Sequence, residues 1–405
     1  MEYKLKDLTV KITKGTTPSN IGEEFADSGV MYFRSELLGK SKYIDKTAGL
    51  LYISEHVHNR LKRSQIEKND ILFSMAGIYL GKISLVGEKD YPANTNQAVA
   101  VIRLKPNICN LDYLYYYMIQ KRFTAYVNSI TAQAAQPNIN LEQIGNLKVK
   151  LPDINEQNSI ANILSAYDDL IENNNKRIRI LEQMAEKLYK EWFVRFRFPG
   201  HENSEFENGL PKGWERKKIG FYYNTCSGGT PSREHDEYFT DGVFPWVKTG
   251  EIKDSIIIDA EEYITKKAVS KSAAKLLPAK SVVMAMYGVN IGFLAYFDRV
   301  MTCNQACCVF LEKRDFSSKH YLFHYLKSIR EYLLLIAFGA AQQNLSQDLI
   351  KKVKIIMPTD DIVKSFEKQV DYIYNQIKLL ITKNQNLIKQ RDLLLPRLMS
   401  GKLEV

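Results

Sequence analysis

The chain has 405 residues, of which 45% are hydrophobic, enough for more than one domain with real apolar cores. Lys and Arg outnumber Asp and Glu by 56 to 46, so the balance leans toward an anionic partner. The opening MEYKLKDLTVK is too polar for a signal peptide. The most apolar run, Ser281 to Phe297, carries Asn290 and Gly or Ser breaks, which excludes a membrane span. Five cysteines, an odd count in a long chain, fit reduced thiols in the cytoplasm.

In chain order, residues 1–152 read as a mixed α/β domain, and residues 153–195 as a long helix. Residues 196–213 (from Arg197 on, RFPGHENSEFENGLPKG) form a Gly-, Pro- and Asn-rich linker. Residues 214–358 form a second mixed domain, and 359–405 a second long helix and tail. Asp70 to Val86 and Ser281 to Phe297, β-rich and broken by glycine, predict strand, turn, strand. Residues 112–127 and 320–335 place Tyr and Leu at helical spacing, a stripe that reads as core rather than as a base-stacking platform. The expected class is α+β, with two tandem-repeated β-rich domains, each followed by a long helix.

The chain is a tandem duplication. Gly15-Thr16-Thr17-Pro18-Ser19 answers Gly228-Gly229-Thr230-Pro231-Ser232, and Ile71 to Gly77, closing on Gly81, answers Val282 to Gly288, closing on Gly292. Asn96-Gln97-Ala98 answers Asn304-Gln305-Ala306, Asp112-Tyr113-Leu114 answers His320-Tyr321-Leu322, and Gln136 and Asn138 answer Gln342 and Asn344. Order is kept throughout, at a period far above that of solenoid repeats.

The long helices repeat as well. Ile160, Leu164, Tyr167, Ile171, Asn174, Ile178, Leu181, Ala185, Leu188 and Trp192 step by four and three, a heptad seam broken only by Asn174. A shift of 206 positions gives Phe366, Val370, Ile373, Ile377, Leu380, Asn384, Leu387, Arg391, Leu394 and Leu398. In an antiparallel pair with matched ends, Asn174 faces Asn384; a parallel pair sets it against Leu380 and leaves both amides without partners. The spacing therefore predicts an antiparallel coiled coil of order 50 Å, the alternative being two helices packed separately on their own domains. Asp153 with Glu156 predicts a capping box at its start, and Pro396 predicts an early end or kink in the second helix.

Signals for catalysis are weak. Gly77 to Lys82 lacks the spacer and the Ser or Thr of a phosphate loop. Cys303, Cys307, His320 and His324 have zinc-finger spacing, but the other copy carries Thr95, Val99, Asp112 and Tyr116 there, and an extended chain would hold the sulfurs apart. Buried thiols and surface histidines are expected instead. Asp241, Glu251 and Lys253 have the loose spacing of a metal-dependent nuclease, whereas the first copy has Glu36 and Leu38 without the Lys. No Asn-Pro-Pro-aromatic or Asp-Pro-Pro-aromatic run occurs. No catalytic residue, metal or cofactor is assigned.

The Gly-x-Thr-Pro-Ser turns, the Asn-Gln pairs, Pro152 with Glu156-Gln157, Ile160, Leu164 and Asp168, and Leu210-Pro211-Lys212-Gly213-Trp214-Glu215 together resemble the specificity subunit of type I restriction-modification systems. The second copy departs at Ile362-Val363, where the first has Glu156-Gln157. The resemblance implies two target-recognition domains, each reading half of a split, asymmetric sequence in double-stranded DNA. The helix pair would act as a ruler and as the dock for two methyltransferase subunits, with two restriction (nuclease-translocase) subunits outside. It also implies no chemistry of the chain's own, only the sequence for adenine-N6 methylation and for cleavage. A rigid strut suits readers one DNA turn apart, roughly 34–36 Å.

If the halves read different sequences, residues shared by the copies cannot be the readers. Thr17, Ser19, Asn96, Gln97, Thr230, Ser232, Asn304 and Gln305 are then scaffold or phosphate contacts. Base readers are sought where copies differ: Arg34 against Lys248, Ser35 against Thr249, Tyr79 against Asn290, and Lys82 against Phe293. The competing readings are a self-contained nuclease and a duplicated scaffold that binds only proteins.

Overall fold

The computed structural model describes residues 1–46, 49–131, 137–338 and 344–405; Gln136 and Gln342 lie outside the described residues. The chain forms two compact units, residues 1–174 with 383–405, and residues 175–382. Each unit holds one sheet domain and a portion of both long helices.

In the first unit, Thr9–Lys14, Val99–Leu104, Ile71–Ser74 and Ile83–Leu85 lie side by side as an antiparallel sheet. Val99 to Ile102 are buried on both faces, as a central strand of β-branched residues requires. A second sheet orders Leu51–Ile53, Val30–Phe33, Ala93–Thr95 and Gln65–Ile66, with the middle two strands parallel. Helices Leu111–Met118 and Lys121–Thr131 cover the antiparallel sheet, with Tyr113, Leu114, Tyr116 and Phe123 in the same core as Phe73 and Ile102. The aromatic stripe is core.

The second unit repeats the plan. Its five-stranded sheet orders Tyr223–Ser227, Cys307–Glu312, Val282–Ala285, Leu294–Phe297 and Ser255–Ile257. Val309 stands opposite Cys226 and Val283, as Val101 stands opposite Thr13 and Leu72, so the repeat is preserved to the residue in strand register. The fifth strand pairs parallel to Leu294–Phe297, where the first unit has a single parallel bridge, Tyr43 to Leu85. A smaller sheet joins Tyr263–Ile264, Phe244–Val247 and Thr302–Cys303, the last two parallel.

The first long helix spans Ile154–Tyr189 and ends in a π-turn at Lys190–Val194; the second spans Asp360–Leu398. No seam position of either helix is fully exposed. In the first unit, Asn174 Nδ2 donates to Asn384 Oδ1 at 2.8 Å, with the two residues only 8% and 7% exposed. Ile160 and Leu164 share a core there with Leu394, Leu395, Leu398 and Met399. In the second unit, Ala185, Tyr189, Trp192 and Phe193 pack with Phe366, Val370, Tyr374 and Ile377. Numbers rise along one helix as they fall along the other, so the pairing within each unit is antiparallel. Asp153 Oδ1 caps the first helix by accepting from the backbone N–H of Asn155 and Glu156.

Two expectations are corrected. Pro396 does not end the second helix, which continues to a buried Leu398. In the last turn a proline forfeits one hydrogen bond, and burial of Leu398 and Met399 holds the helix beyond it. The Gly- and Pro-rich segment before Trp214 is also no free linker: Phe196 meets Trp214 edge-on and Phe198 lies tilted against it, with ring centroids 5.5 and 5.4 Å away, and Phe206–Glu207 pairs with Leu210–Pro211. Its polar composition masks two aromatic anchors.

Candidate nucleic-acid interface

The paired parallel strands of each unit end together. In the first unit, Phe33 lies opposite Thr95, whose hydroxyl donates to Phe33 O at 2.8 Å. The chain beyond them therefore sets Arg34-Ser35 beside Asn96-Gln97. In the second unit, Val247 lies opposite Cys303 and accepts from Asn304 N at 3.0 Å, which sets Lys248-Thr249 beside Asn304-Gln305.

The Gly-Thr-Pro turns lock onto these ends. A Cβ built on Gly15 would lie 1.9 Å from Thr95 O, and one on Gly228 would lie 1.9 Å from Cys303 O, so both positions need glycine for close backbone approach. Thr16 N and Gly229 N donate to those same carbonyls, at 3.0 and 2.8 Å. The Thr17 hydroxyl bonds Gln97 Oε1, and the Thr230 hydroxyl bonds Gln305 Oε1. Asn96 Oδ1 and Asn304 Oδ1 each accept from the backbone N–H two residues on, at 3.2 Å. Asn96 and Asn304 thus hold the site's own backbone, while each Thr–Gln pair is an exposed bond between two side chains across it. Ser19 and Ser232 are exposed, and Ser232 Oγ accepts from Glu234 N.

The residues that differ between copies sit at the rim. Arg34 is half-buried, paired with Glu36 at 3.0 Å, and its Nε faces inward without a hydrogen-bond partner. Lys248 Nζ bridges Glu262 at 2.9 Å and Glu261 at 3.4 Å, and the bond to Glu262 holds its ammonium above the usual lysine range. Thr249 is half-buried, and its carbonyl accepts from Asn290 Nδ2 at 3.0 Å. Asn290 also donates to Ile252 O at 3.1 Å, which commits its amide N–H groups to the protein's own backbone. Ser35 opens a short 3-10 turn, and Lys82 is exposed beside Gly39. The Tyr79 side chain lies outside the described residues.

The turns that carry Tyr79 and Asn290 leave from the same end. Met75 N donates to Ala98 O and Met286 N to Ala306 O, both at 2.8 Å, which ties the strand before each turn to the Asn-Gln-Ala segment. Each unit thus gathers three stretches far apart in sequence onto one edge. A strand, Ile83–Leu85, follows Gly81, so there is no helix N-terminus for a nucleotide phosphate.

The zinc-spaced residues do not converge, though for reasons other than those expected. Across the tight turn at residues 304–306 the Cys307 thiol donates to Asn304 Oδ1 at 3.1 Å, and the Cys307 thiol together with burial raises the Cys303 thiol pKa. The histidines are buried rather than on the surface. His320 stacks on Tyr374 and bonds Asp371 at 2.9 Å, and burial brings its pKa down to about 4. Burial brings His324 to about 3, so both rings are neutral core groups. Glu251 Oε1 accepts from Lys248 N and Oε2 from Glu261 N, both at 2.9 Å, a structural use of the carboxylate proposed for a nuclease. Among the described residues no group of three or more His, Cys, Asp or Glu is placed to hold a metal ion.

Comparison with known proteins gives the class to which this chain belongs. The family model described as type I restriction modification DNA specificity domain matches residues 1–183 and 211–391, and the chain belongs to that family. The type I restriction enzyme MjaIX specificity subunit of Methanocaldococcus jannaschii is 27% identical, over 99% of this chain and 93% of its own length. The HindI specificity subunit of Haemophilus influenzae is 24% identical, over 84% and 88%. The crystal structure of a type I restriction-modification S subunit from M. genitalium superposes with a TM-score of 0.56 at 16% identity, covering 98% of this chain and 95% of that one, which establishes the shared fold.

Proposed function

We propose that the chain is the non-catalytic, DNA-reading subunit of a type I restriction-modification complex. Each unit reads one part of a split, asymmetric target in double-stranded DNA. The helical segments dock two methyltransferase subunits for adenine-N6 methylation, and two restriction subunits join that assembly in the cytoplasm. The observation that carries this reading is the strand-end cradle built twice on the same register. Its supporting residues (Gly15, Thr17, Asn96, Gln97 and Gly228, Thr230, Asn304, Gln305) repeat, while its rim changes from Arg34-Ser35 to Lys248-Thr249. One scaffold with two different rims supports two different sequences read in one manner.

Single-molecule sequencing of adenine methylation tests it, in cells carrying this gene and its neighbouring methyltransferase gene against cells lacking this gene alone. A split motif that disappears with the gene is the expected result. Methylation unchanged by the deletion, together with no DNA binding by the purified chain, overturns the proposal.

A further inference from the structure

The turn closing the β-hairpin of each sheet carries an aliphatic side chain in open solvent. Ile78 is 86% exposed in the first unit and Val289 is 100% exposed in the second. Both follow a glycine in the left-handed region, Gly77 at φ 68° and Gly288 at φ 86°, so they hold the same position of the repeat. The turns are rigidly based. Leu80 N donates to Gly77 O and Gly81 N to Ser74 O; Ile291 N donates to Gly288 O and Gly292 N to Ala285 O, at 2.8–3.2 Å. A lone exposed aliphatic residue is ordinary. The same β-branched class at the same tip in both copies, where the following residues change from Tyr79 to Asn290 and from Lys82 to Phe293, points to a partner common to both units.

The surroundings of the tips indicate the chemistry of that partner. Ile78 lines a cleft of about 1030 Å³ whose walls carry Lys40, Lys82, Lys121, Arg122 and Arg391 against the single acid Asp392. The Val289 turn is tied through Asn290 to the 249–252 loop, which is followed in sequence by Lys253; Lys248 on its other side is already held by Glu261 and Glu262. An apolar point set among cations matches a nucleic-acid groove, where phosphates meet the cations and base-pair surfaces meet the point. A hydrophobic protein surface would desolvate Lys121 and Arg122, while the cleft's one acid, Asp392, is already taken by Arg391.

We propose that Ile78 and Val289 press into the DNA groove, one at each half of the target, as apolar contacts that hold the duplex without reading its sequence. This rests on the DNA-reading function proposed above. Because both copies carry the contact, it serves affinity, while discrimination falls to the rim residues that differ.

The test uses the full chain and a duplex holding its mapped target, with a scrambled duplex beside it. Ile78→Thr and Val289→Thr keep the branched shape and remove the apolar surface; Ile78→Val and Val289→Ile keep the surface. Each Thr variant is expected to bind both duplexes about tenfold more weakly with their ratio unchanged, and each apolar variant to stay within about twofold of wild type. Thr variants that bind like wild type overturn the inference while leaving the function intact. A changed ratio overturns it as well, by making the tips sequence readers. Unchanged DNA binding with failed capture of the methyltransferase subunit overturns it in favour of a protein contact. A wild-type chain that binds neither duplex removes the underlying reading instead. Thermal melts of all four variants matching wild type exclude misfolding.

Discussion

Asn174 and Asn384 place two amides inside an otherwise apolar seam, joined by one 2.8 Å hydrogen bond. Breaking one side takes that bond from the other, and a buried amide that loses its partner costs roughly 1–3 kcal/mol. Asn174→Leu alone should therefore lower stability by about that amount, whereas Asn174→Leu with Asn384→Leu should recover it or exceed wild type. Denaturant melts of wild type, Asn174→Leu, Asn384→Leu and the double variant check this, and additive losses would mean that the two residues do not meet. This contact was legible because register arithmetic on two heptads fixes it. Glu367 was not legible. It is buried, its Oε1 accepts from Tyr321 N at 2.8 Å and its Oε2 has no partner, so burial raises its pKa to about 8 despite nearby Lys319. A carboxyl that holds its proton more tightly when folded contributes stability that is fully present below about pH 4.5. That contribution is lost as pH rises through about 8, at up to about 1.4 kcal/mol per pH unit. Glu367→Gln removes the titration, so the melting temperature should fall less between pH 5 and pH 8 in the variant than in wild type. Equal slopes would exclude Glu367 as their source.

At the scale of elements, the sequence carried the helices further than the sheets. A seam that recurs every three or four residues announces a helix and, with one polar break, its partner. A strand announces itself only locally, and its neighbours are set by long-range contacts: the parallel pairing of Val30–Phe33 with Ala93–Thr95 joins segments about 60 residues apart. The rim of the site is assembled by that pairing, which is why the sequence marks Arg34 and Asn96 separately and never as neighbours. The helix pair also hid a charge. Asp168 accepts from Arg391 at 2.5 Å through Oδ1 and from Tyr116 OH at 2.5 Å through Oδ2, and Asp168 is buried. At the matching places of the second unit stand Tyr374, Ala185 and His324, with Tyr374 OH 3.4 Å from His324 Nε2. The same helix interface is thus held by an ion pair in one unit and by aromatic packing in the other. Arg391→Leu should cost about 3–5 kcal/mol by leaving Asp168 buried and unpaired. Adding Asp168→Leu should return much of it, because a buried ion pair often does little better than apolar groups of similar volume. A loss of under about 1 kcal/mol in the single variant would show that Asp168 reaches water instead.

For the molecule as a whole, the excess of 56 basic over 46 acidic residues sets how DNA binding must respond to salt. Much of the charge at the rim is already balanced within the protein, Arg34 by Glu36 and Lys248 by Glu261 and Glu262. Those cations reach DNA only by exchanging one anion for another, which favours discrimination over raw attraction. Affinity must then come largely from cations elsewhere, such as those lining the cleft below Ile78. The two sets should separate in a salt titration. Removing one cation that meets a phosphate lowers the slope of log K against log salt by about 0.9. Lys121→Ala with Arg122→Ala should flatten that slope by up to about 2 and weaken target and scrambled duplexes alike. Lys248→Ala should barely alter it and should instead reduce the preference for target by roughly 1–3 kcal/mol at one position. Should Lys248→Ala flatten the slope while preference stays fixed, the rim is a phosphate clamp and the readers lie among other residues that differ between the copies.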